Sequence, residues 1–378
     1  MNSARLRVFG LPLAVVAATV AVTVGSSRAE EQSIASRLET IRAAANVPAV
    51  GGAVFRSAGA PELAVVGVRR IGNPVTVTAG DLWHIGSLTK SFTSALVATF
   101  VERGQLSWTA TLGDLLGAER ARKFAPVTLT QLLSHRAGLP ANVPPLITAV
   151  FAQSSMPVTE QRQHLLDAMM SSEPASAPGE TFRYSNVGYI VAGAMLEART
   201  GRSWEDMLRS EVLAPLSLTS AGFGPPGVSD VVSQPRGHRN QPGTGLVSVE
   251  PGPAADNPPF LGPAGTLHMS IADLARWGQA HLRGERGQDG FLRAATFRHL
   301  HQPPRPEADY ALGWVVRTDG ARRILWHNGS NTMWYAVVVF EADADRGVVL
   351  ATNGGIGAAR AIDAAAMQLL AESAGAFR

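Results

Sequence analysis

Hydrophobic positions first recur with a period of three to four. Ile34, Leu38, Ile41 and Ala45 share that spacing and predict a helix over Ser33–Ala45. The pattern then shortens. Ala49–Phe55 and Glu62–Val68 are β-branched runs on either side of Ala58-Gly59-Ala60-Pro61, a composition that reads as a hairpin turn. The far end of the chain has the same character, with strands predicted at Leu312–Val316, Arg323–Trp326, Trp334–Phe340 and Gly347–Ala351 and a closing helix over Ala358–Ala374. Trp334–Phe340 is apolar almost throughout, as expected of a central strand covered on both faces. The middle is different: helical periods occur at Ser87–Arg103, Thr159–Ser171, Asn186–Arg199, Trp204–Leu213 and Ile271–Leu282, with a Pro/Gly-rich stretch over Phe223–Pro263. No internal repeat is present. The expectation is an α/β (α+β) fold, in which residues 30–81 and 293–378 build one sheet domain from both termini. Residues 82–292 form a mainly helical domain between them.

Composition narrows the class. With 378 residues, 46% of them apolar and 17% charged, the chain can bury a sizeable core and is not disordered, collagenous or a coiled coil. The formal charge of +3 is misplaced rather than functional. Arg5, Arg7 and Arg28 lie in the first 29 residues, which hold no acid, and from Glu30 onward 30 basic residues balance 30 acidic ones. No nucleic-acid partner is expected. Those 29 residues read as a secretory signal: a charged start, an apolar stretch over Leu11–Val24, and small residues at the −3 and −1 positions in Ser27-Arg28-Ala29. The expectation is a secreted or periplasmic protein. An N-terminal membrane anchor is the alternative if the segment stays uncleaved, although its apolar run is shorter than the roughly 20 residues a span needs. The sequence has no Cys, which excludes disulfides, a thiol nucleophile, Cys-ligated zinc and a lipid-anchored signal.

Candidate chemistry begins with lysine, because the chain uses two against 31 arginines. One stands in Ser87-Leu88-Thr89-Lys90, at the predicted start of a helix whose apolar stripe is Leu88, Phe92, Leu96 and Phe100. Residues three apart share a helix face, so the amine of Lys90 can lie beside the hydroxyl of Ser87. A helix start also offers N–H groups to a developing oxyanion. Arg does not deprotonate, so it cannot replace a proton-accepting lysine. A second motif is Tyr184-Ser185-Asn186, where a phenol near a cation could serve as a base and Asn186 could hold the amine of Lys90 or a substrate carbonyl. The third is His327-Asn328-Gly329-Ser330, after a predicted strand: Gly329 lets a substrate backbone approach, and the Ser330 N–H could be a second oxyanion donor beside that of Ser87.

In this order the three motifs resemble those of the penicillin-recognising serine hydrolases of the class C β-lactamase and D-Ala-D-Ala carboxypeptidase type. Leu132-Leu133-Ser134-His135-Arg136-Ala137-Gly138-Leu139-Pro140, Pro263-Ala264-Gly265-Thr266-Leu267 and Ile271-Ala272-Asp273-Leu274-Ala275-Arg276-Trp277 are similar to stretches of the same family. The resemblance runs from about Ile34 to Leu370. It implies an antiparallel sheet flanked by helices plus a helical domain, with the site between them. It also implies Ser87 as nucleophile, Lys90 as its activating amine and Tyr184 as general base. Asn186, His327, Asn328 and Gly329 would bind substrate, and the amides of Ser87 and Ser330 would form the oxyanion hole. The third motif departs from the Lys-Thr-Gly or His-Thr-Gly usual in the family: Asn328 lacks a hydroxyl and His327 is a weak cation at neutral pH, which tilts the expectation toward substrates without a carboxylate.

The expected activity is therefore cleavage of a small-molecule ester or amide through an acyl-enzyme on Ser87. D-Ala-D-Ala carboxypeptidase or β-lactamase activity on cell-wall peptides or β-lactams is the alternative. A catalytically silent peptidoglycan- or protein-binding member is the non-enzyme alternative, against which the complete set Ser87, Lys90 and Tyr184 argues. No serine has a Gly-x-Ser-x-Gly elbow, there is no His-Glu-x-x-His, and His299-Leu300-His301 is an ordinary pair, so neither cofactor nor metal is expected.

Overall fold

In the computed structural model, six strands are β1 (Ala49–Phe55), β2 (Glu62–Gly67), β3 (Val315–Asp319), β4 (Arg322–Gly329), β5 (Tyr335–Glu341) and β6 (Arg346–Thr352). They form one antiparallel sheet in the order β2-β1-β6-β5-β4-β3. The N-terminal hairpin joins the C-terminal meander through β1 and β6, with Val50 opposite Thr352 and Phe55 opposite Gly347. The structure describes residues 33–320 and 322–373, so the segment 1–29 read as an export signal lies outside the described residues.

Six helices reach 12 residues or more among the described residues: α1 (Ile34–Ala45), α2 (Thr89–Glu102), α3 (Val158–Met170), α4 (Asn186–Thr200), α5 (Ile271–Glu285) and α6 (Ala359–Glu372). Side chains alternate across a strand, and the sheet uses both faces. Val337 and Val339 of β5 join Val348 and Leu350 of β6 in a cluster with Leu38 of α1 and Ile362 of α6. Ala336, Val338 and Phe340 face the opposite way, into the larger cluster that holds Trp277 of α5 and Phe92 of α2. Double coverage is why Trp334–Phe340 reads as an uninterrupted apolar run. No described helix is long and apolar enough to cross a membrane.

Several boundaries differ from the sequence pattern. The helix expected from Ser87 begins at Thr89, behind a 3-10 turn over Gly86–Leu88. Gly86 holds a φ of +51°, a left-handed conformation that cannot continue a right-handed helix. The expected helix over Trp204–Leu213 is α-helical only to Leu208, then a π turn over Arg209–Leu213. β4 runs on through Gly329, which carries His327, Asn328 and Gly329 of the third motif inside the strand. Unforeseen elements include the hairpin Gly237–Gln241/Gly245–Val249 within the Pro/Gly-rich stretch, and a small sheet of Trp83–His84, Leu267–Met269 and Gly222–Phe223.

Candidate active site

The small sheet fixes the turn that carries Ser87. The Ile85 N–H donates to Leu267 O at 2.9 Å, and the Leu267 N–H to Thr89 Oγ1 at 3.2 Å. The Gly86 N–H donates to His84 Nδ1 at 3.1 Å, while His84 Nε2 lies 2.7 Å from Asp256 Oδ1. From the other side β4 presses directly on the turn. A Cβ on Gly86 would fall 2.2 Å from the Ser330 nitrogen, and one on Gly329 would fall 2.1 Å from Ile85 O and 2.4 Å from the Ser87 nitrogen. Only glycine fits at either place, and the approach brings the backbone nitrogens of Ser87 and Ser330 together.

α2 is buried from Thr89 to Phe100, although half its residues there are polar. Their hydroxyls are satisfied locally: Ser91 Oγ donates to Leu88 O at 2.8 Å and Thr93 Oγ1 to Pro263 O at 2.7 Å. Lys90 is 0% exposed. Its amine donates to Ala264 O at 2.7 Å and lies 3.0 Å from Ser87 Oγ, and no carboxylate among the described residues pairs with it. Burial without a counter-charge pushes the Lys90 amine well below the ordinary lysine range. A neutral amine keeps a lone pair, and the Ser87 hydroxyl is within reach of it.

Tyr184 precedes α4, and its ring centroid lies 4.9 Å from Lys90 Nζ. Burial pushes the phenol up to about 12, against the opposing pull of a hydrogen bond with Ser87. Sequence reasoning expected a cationic Lys90 to depress this group. Burial removes the charge that would have done so, and the phenol stays protonated. Ser185 caps α4 by accepting from the Gly188 N–H at 3.0 Å, while its own hydroxyl donates to Pro140 O at 2.6 Å. Asn186 does not reach Lys90: its amide donates to Asn142 Oδ1 at 2.7 Å.

In the third motif, strand alternation separates residues that are neighbours in sequence. His327 and Gly329 face the Ser87 turn, whereas the Asn328 amide donates across the opposite face to Asp363 Oδ2 of α6 at 3.1 Å. The expectation that Asn328 stands where a substrate-binding hydroxyl would be is therefore corrected, because its side chain is not brought to the Ser87 site. His327 is also less of a cation than its free pKa implies: burial, with Lys90 nearby, pushes it down to about 3.

The structure adds residues that the motifs did not single out. His135 adopts a φ of +61° and accepts the Ser185 N–H on Nδ1 at 3.0 Å. Its ring centroid lies 4.3 Å from that of Tyr184 and 4.6 Å from that of Tyr310. Tyr310 OH lies 3.0 Å from His327 Nε2, and Tyr189 OH donates to Leu133 O at 2.7 Å. Three of the chain's four tyrosines thus crowd behind Ser87, a rarity that composition alone could have flagged. The His299/His301 pair divides: His299 stacks on Trp108 at 4.7 Å, while His301 bonds His281 at 2.8 Å and Glu285 at 2.7 Å.

A Ser-x-x-Lys turn held against one strand of an antiparallel sheet, with helices on both faces, defines the penicillin-recognising class of serine hydrolases. The sequence profile of the Beta-lactamase family matches residues 26–372, and the chain belongs to that family. It is 27% identical to penicillin-binding protein 4 of Amycolatopsis lactamdurans over 337 residues, covering 85% of this chain and 84% of that protein. It is 26% identical to the unguisins hydrolase ungD' of Aspergillus campestris over 271 residues, which is 67% of this chain but 49% of that longer protein. A class C beta lactamase from Rhodobacter sphaeroides superposes with a TM-score of 0.69 at 20% identity, covering 89% of this chain and 98% of that one. The β-lactamase-type fold expected from the motifs is the fold observed.

Proposed function

We propose that the protein is an exported serine hydrolase that cleaves an ester or amide bond through an acyl-enzyme on Ser87. The observation that carries this reading is the buried Lys90 amine, with no acid beside it, 3.0 Å from Ser87 Oγ. Neutral Lys90 takes the Ser87 proton as Oγ bonds to the substrate carbonyl carbon. The oxyanion formed is received by the N–H groups of Ser87 and Ser330. As the C–O or C–N bond breaks, the leaving group takes a proton from the Tyr184 phenol, which recovers one from the Lys90 ammonium. Water then releases the acyl group as an acid and restores Ser87. Tyr184 acts here as a proton donor rather than as an initial base, in keeping with its raised pKa.

Room for an apolar substrate part exists nearby. A cavity of about 500 Å³, lined by Phe151, Phe223, Pro253, Asn257, Phe260 and Thr266, borders the segment whose Ala264 carbonyl holds Lys90. Export rests on the pattern of residues 1–29 alone. The likeness to penicillin-binding protein 4 favours a second reading, action on D-amino-acid peptides or β-lactams, while the uncharged His327 favours esters and simple amides. Incubation with a fluorophosphonate, followed by peptide mass spectrometry, tests the reading. Label is expected on Ser87 and is absent in Ser87→Ala. Turnover of p-nitrophenyl butyrate, nitrocefin and a D-Ala-D-Ala peptide by the same sample then separates the substrate classes. An unlabelled Ser87, or wild-type turnover by Ser87→Ala, overturns the reading.

A further inference from the structure

His327 is the one polar side chain of the third motif that faces the Ser87 turn, and both of its ring nitrogens are engaged. Nδ1 lies 2.6 Å from the Asn328 carbonyl oxygen. A carbonyl only accepts, so Nδ1 carries the proton. Nε2 then bears the lone pair and lies 3.0 Å from the Tyr310 hydroxyl, which donates to it. Tyr310 is 4% exposed and His327 is 3% exposed, so water does not compete for either bond. Tyr189 gives its own proton to Leu133 O and offers His327 no alternative donor.

We propose that Tyr310 is a specificity-determining positioning residue: its hydroxyl holds His327 as the Nδ1–H tautomer, so that the site selects acyl compounds whose group against β4 is uncharged. The inference rests on the acyl-transfer reading above and names its substrate class. A carboxylate arriving beside β4 meets an imidazole with no free N–H and no charge. The other titratable groups around the ring do not restore one. Lys90 on α2 and His135 after Leu129–Leu133 are both pushed toward their neutral forms by burial, and Lys90 also disfavours a proton on His327. Tyr184 and Tyr189 stand behind them as protonated phenols held up by burial. Without the Tyr310 hydroxyl nothing fills the Nε2 lone pair, and the neutral ring is free to carry its proton on Nε2 and donate it to an anion.

The test compares two esters that share a chromophore, 4-nitrophenyl butyrate and its 3-carboxy analogue, on wild type and Tyr310→Phe at neutral pH. The readout is the ratio of kcat/KM for the two esters, so a general loss of activity in the variant cancels. In wild type the neutral ester is preferred. In Tyr310→Phe the ratio moves toward the carboxylated ester by about tenfold, through KM, the scale of one charge-assisted hydrogen bond. Nitrogen-15 NMR of histidine-labelled wild-type protein tests the same point without a variant, and it stands even if Tyr310→Phe does not fold. His327 is expected to show a protonated Nδ1 and a bare Nε2. A protonated Nε2 in wild type, or a ratio that does not move in Tyr310→Phe, overturns the inference. Fluorophosphonate labelling of the same samples keeps the two readings apart. An unlabelled Ser87 defeats the acyl-transfer reading, whereas a labelled Ser87 with an unmoved ratio defeats the Tyr310 role alone.

Discussion

At the scale of single residues, the chemistry turns on an amine kept dry. Lys90→Arg installs a permanent charge and a larger head in a space filled by Lys90, Ser87 and Ala264 O. It is expected to lower kcat by about a thousandfold or more, as Lys90→Ala does, since both abolish proton acceptance in a unit whose members act together. Stopped-flow or steady-state turnover of p-nitrophenyl butyrate checks this; an Arg variant with most of its turnover intact would leave Lys90 a purely electrostatic role. The pH profile follows from the same two groups. Lys90 must be neutral, so kcat/KM rises through a single acid limb set by an amine pushed far below the lysine range. Tyr184 must be protonated, and with its phenol near about 12 no basic limb is expected at ordinary assay pH. A bell centred on neutral pH would contradict this assignment. Asn328→Thr should leave the ratio of nitrocefin to ester turnover within about twofold of wild type, because the half-buried Asn328 side chain bonds Asp363 on the α6 face and does not touch the Ser87 site. A marked gain toward nitrocefin would mean that the side chain does face the substrate.

At the scale of elements, the site depends on β4 and the Gly86–Leu88 turn lying in backbone contact. Gly329→Ala puts a Cβ within 2.1 Å of Ile85 O and 2.4 Å of the Ser87 nitrogen, so one of the two segments must move. The overpacking is expected to cost about 1–3 kcal/mol of stability. The loss of activity is expected to be larger, about a hundredfold in kcat, because displacing the Ser330 N–H by an ångström misplaces the oxyanion donor. Urea unfolding and ester turnover on the same sample measure both. Activity that falls only as much as stability does would mean that the two segments move as one body and the donor keeps its place.

For the molecule as a whole, the unusual load is buried neutral histidine. Burial lowers the pKa of His135, His238, His268, His281, His301 and His327, so the folded state resists protons that the unfolded chain accepts. Stability is therefore full above the unfolded histidine value and is lost as pH falls below it, with a slope of up to about 1.4 kcal/mol per pH unit for each such group. Glu285, held down to about 2 chiefly by His301 and Arg323 against burial, adds a further loss at lower pH, between the unfolded carboxylate range and its own value. Urea midpoints should drop steeply from neutral to mildly acidic pH. Midpoints that stay level across that interval would show that these histidines take up protons alike in the folded and unfolded chain.

What the sequence settled by itself is local. Ser87 and Lys90 share a face because three residues of helical chain, a 3-10 turn running into α2, separate them. The other strands at both ends and the long helices were legible for the same reason, each repeating its own period over enough residues to be read, whereas the strand expected at Leu312–Val316 lies at Val315–Asp319. The tertiary structure decided everything that depends on phase and pairing. It turned Asn328 toward α6 and His327 toward Ser87, since a strand's facing is set by its neighbours, and β4 continues past the end that its hydrophobic pattern marks. It brought Tyr310, Tyr189 and His135 from three separate segments into one cluster behind the nucleophile. It also set the proton states, keeping Tyr184 a phenol and Lys90 an amine, because burial is a property of the packed molecule and not of any motif.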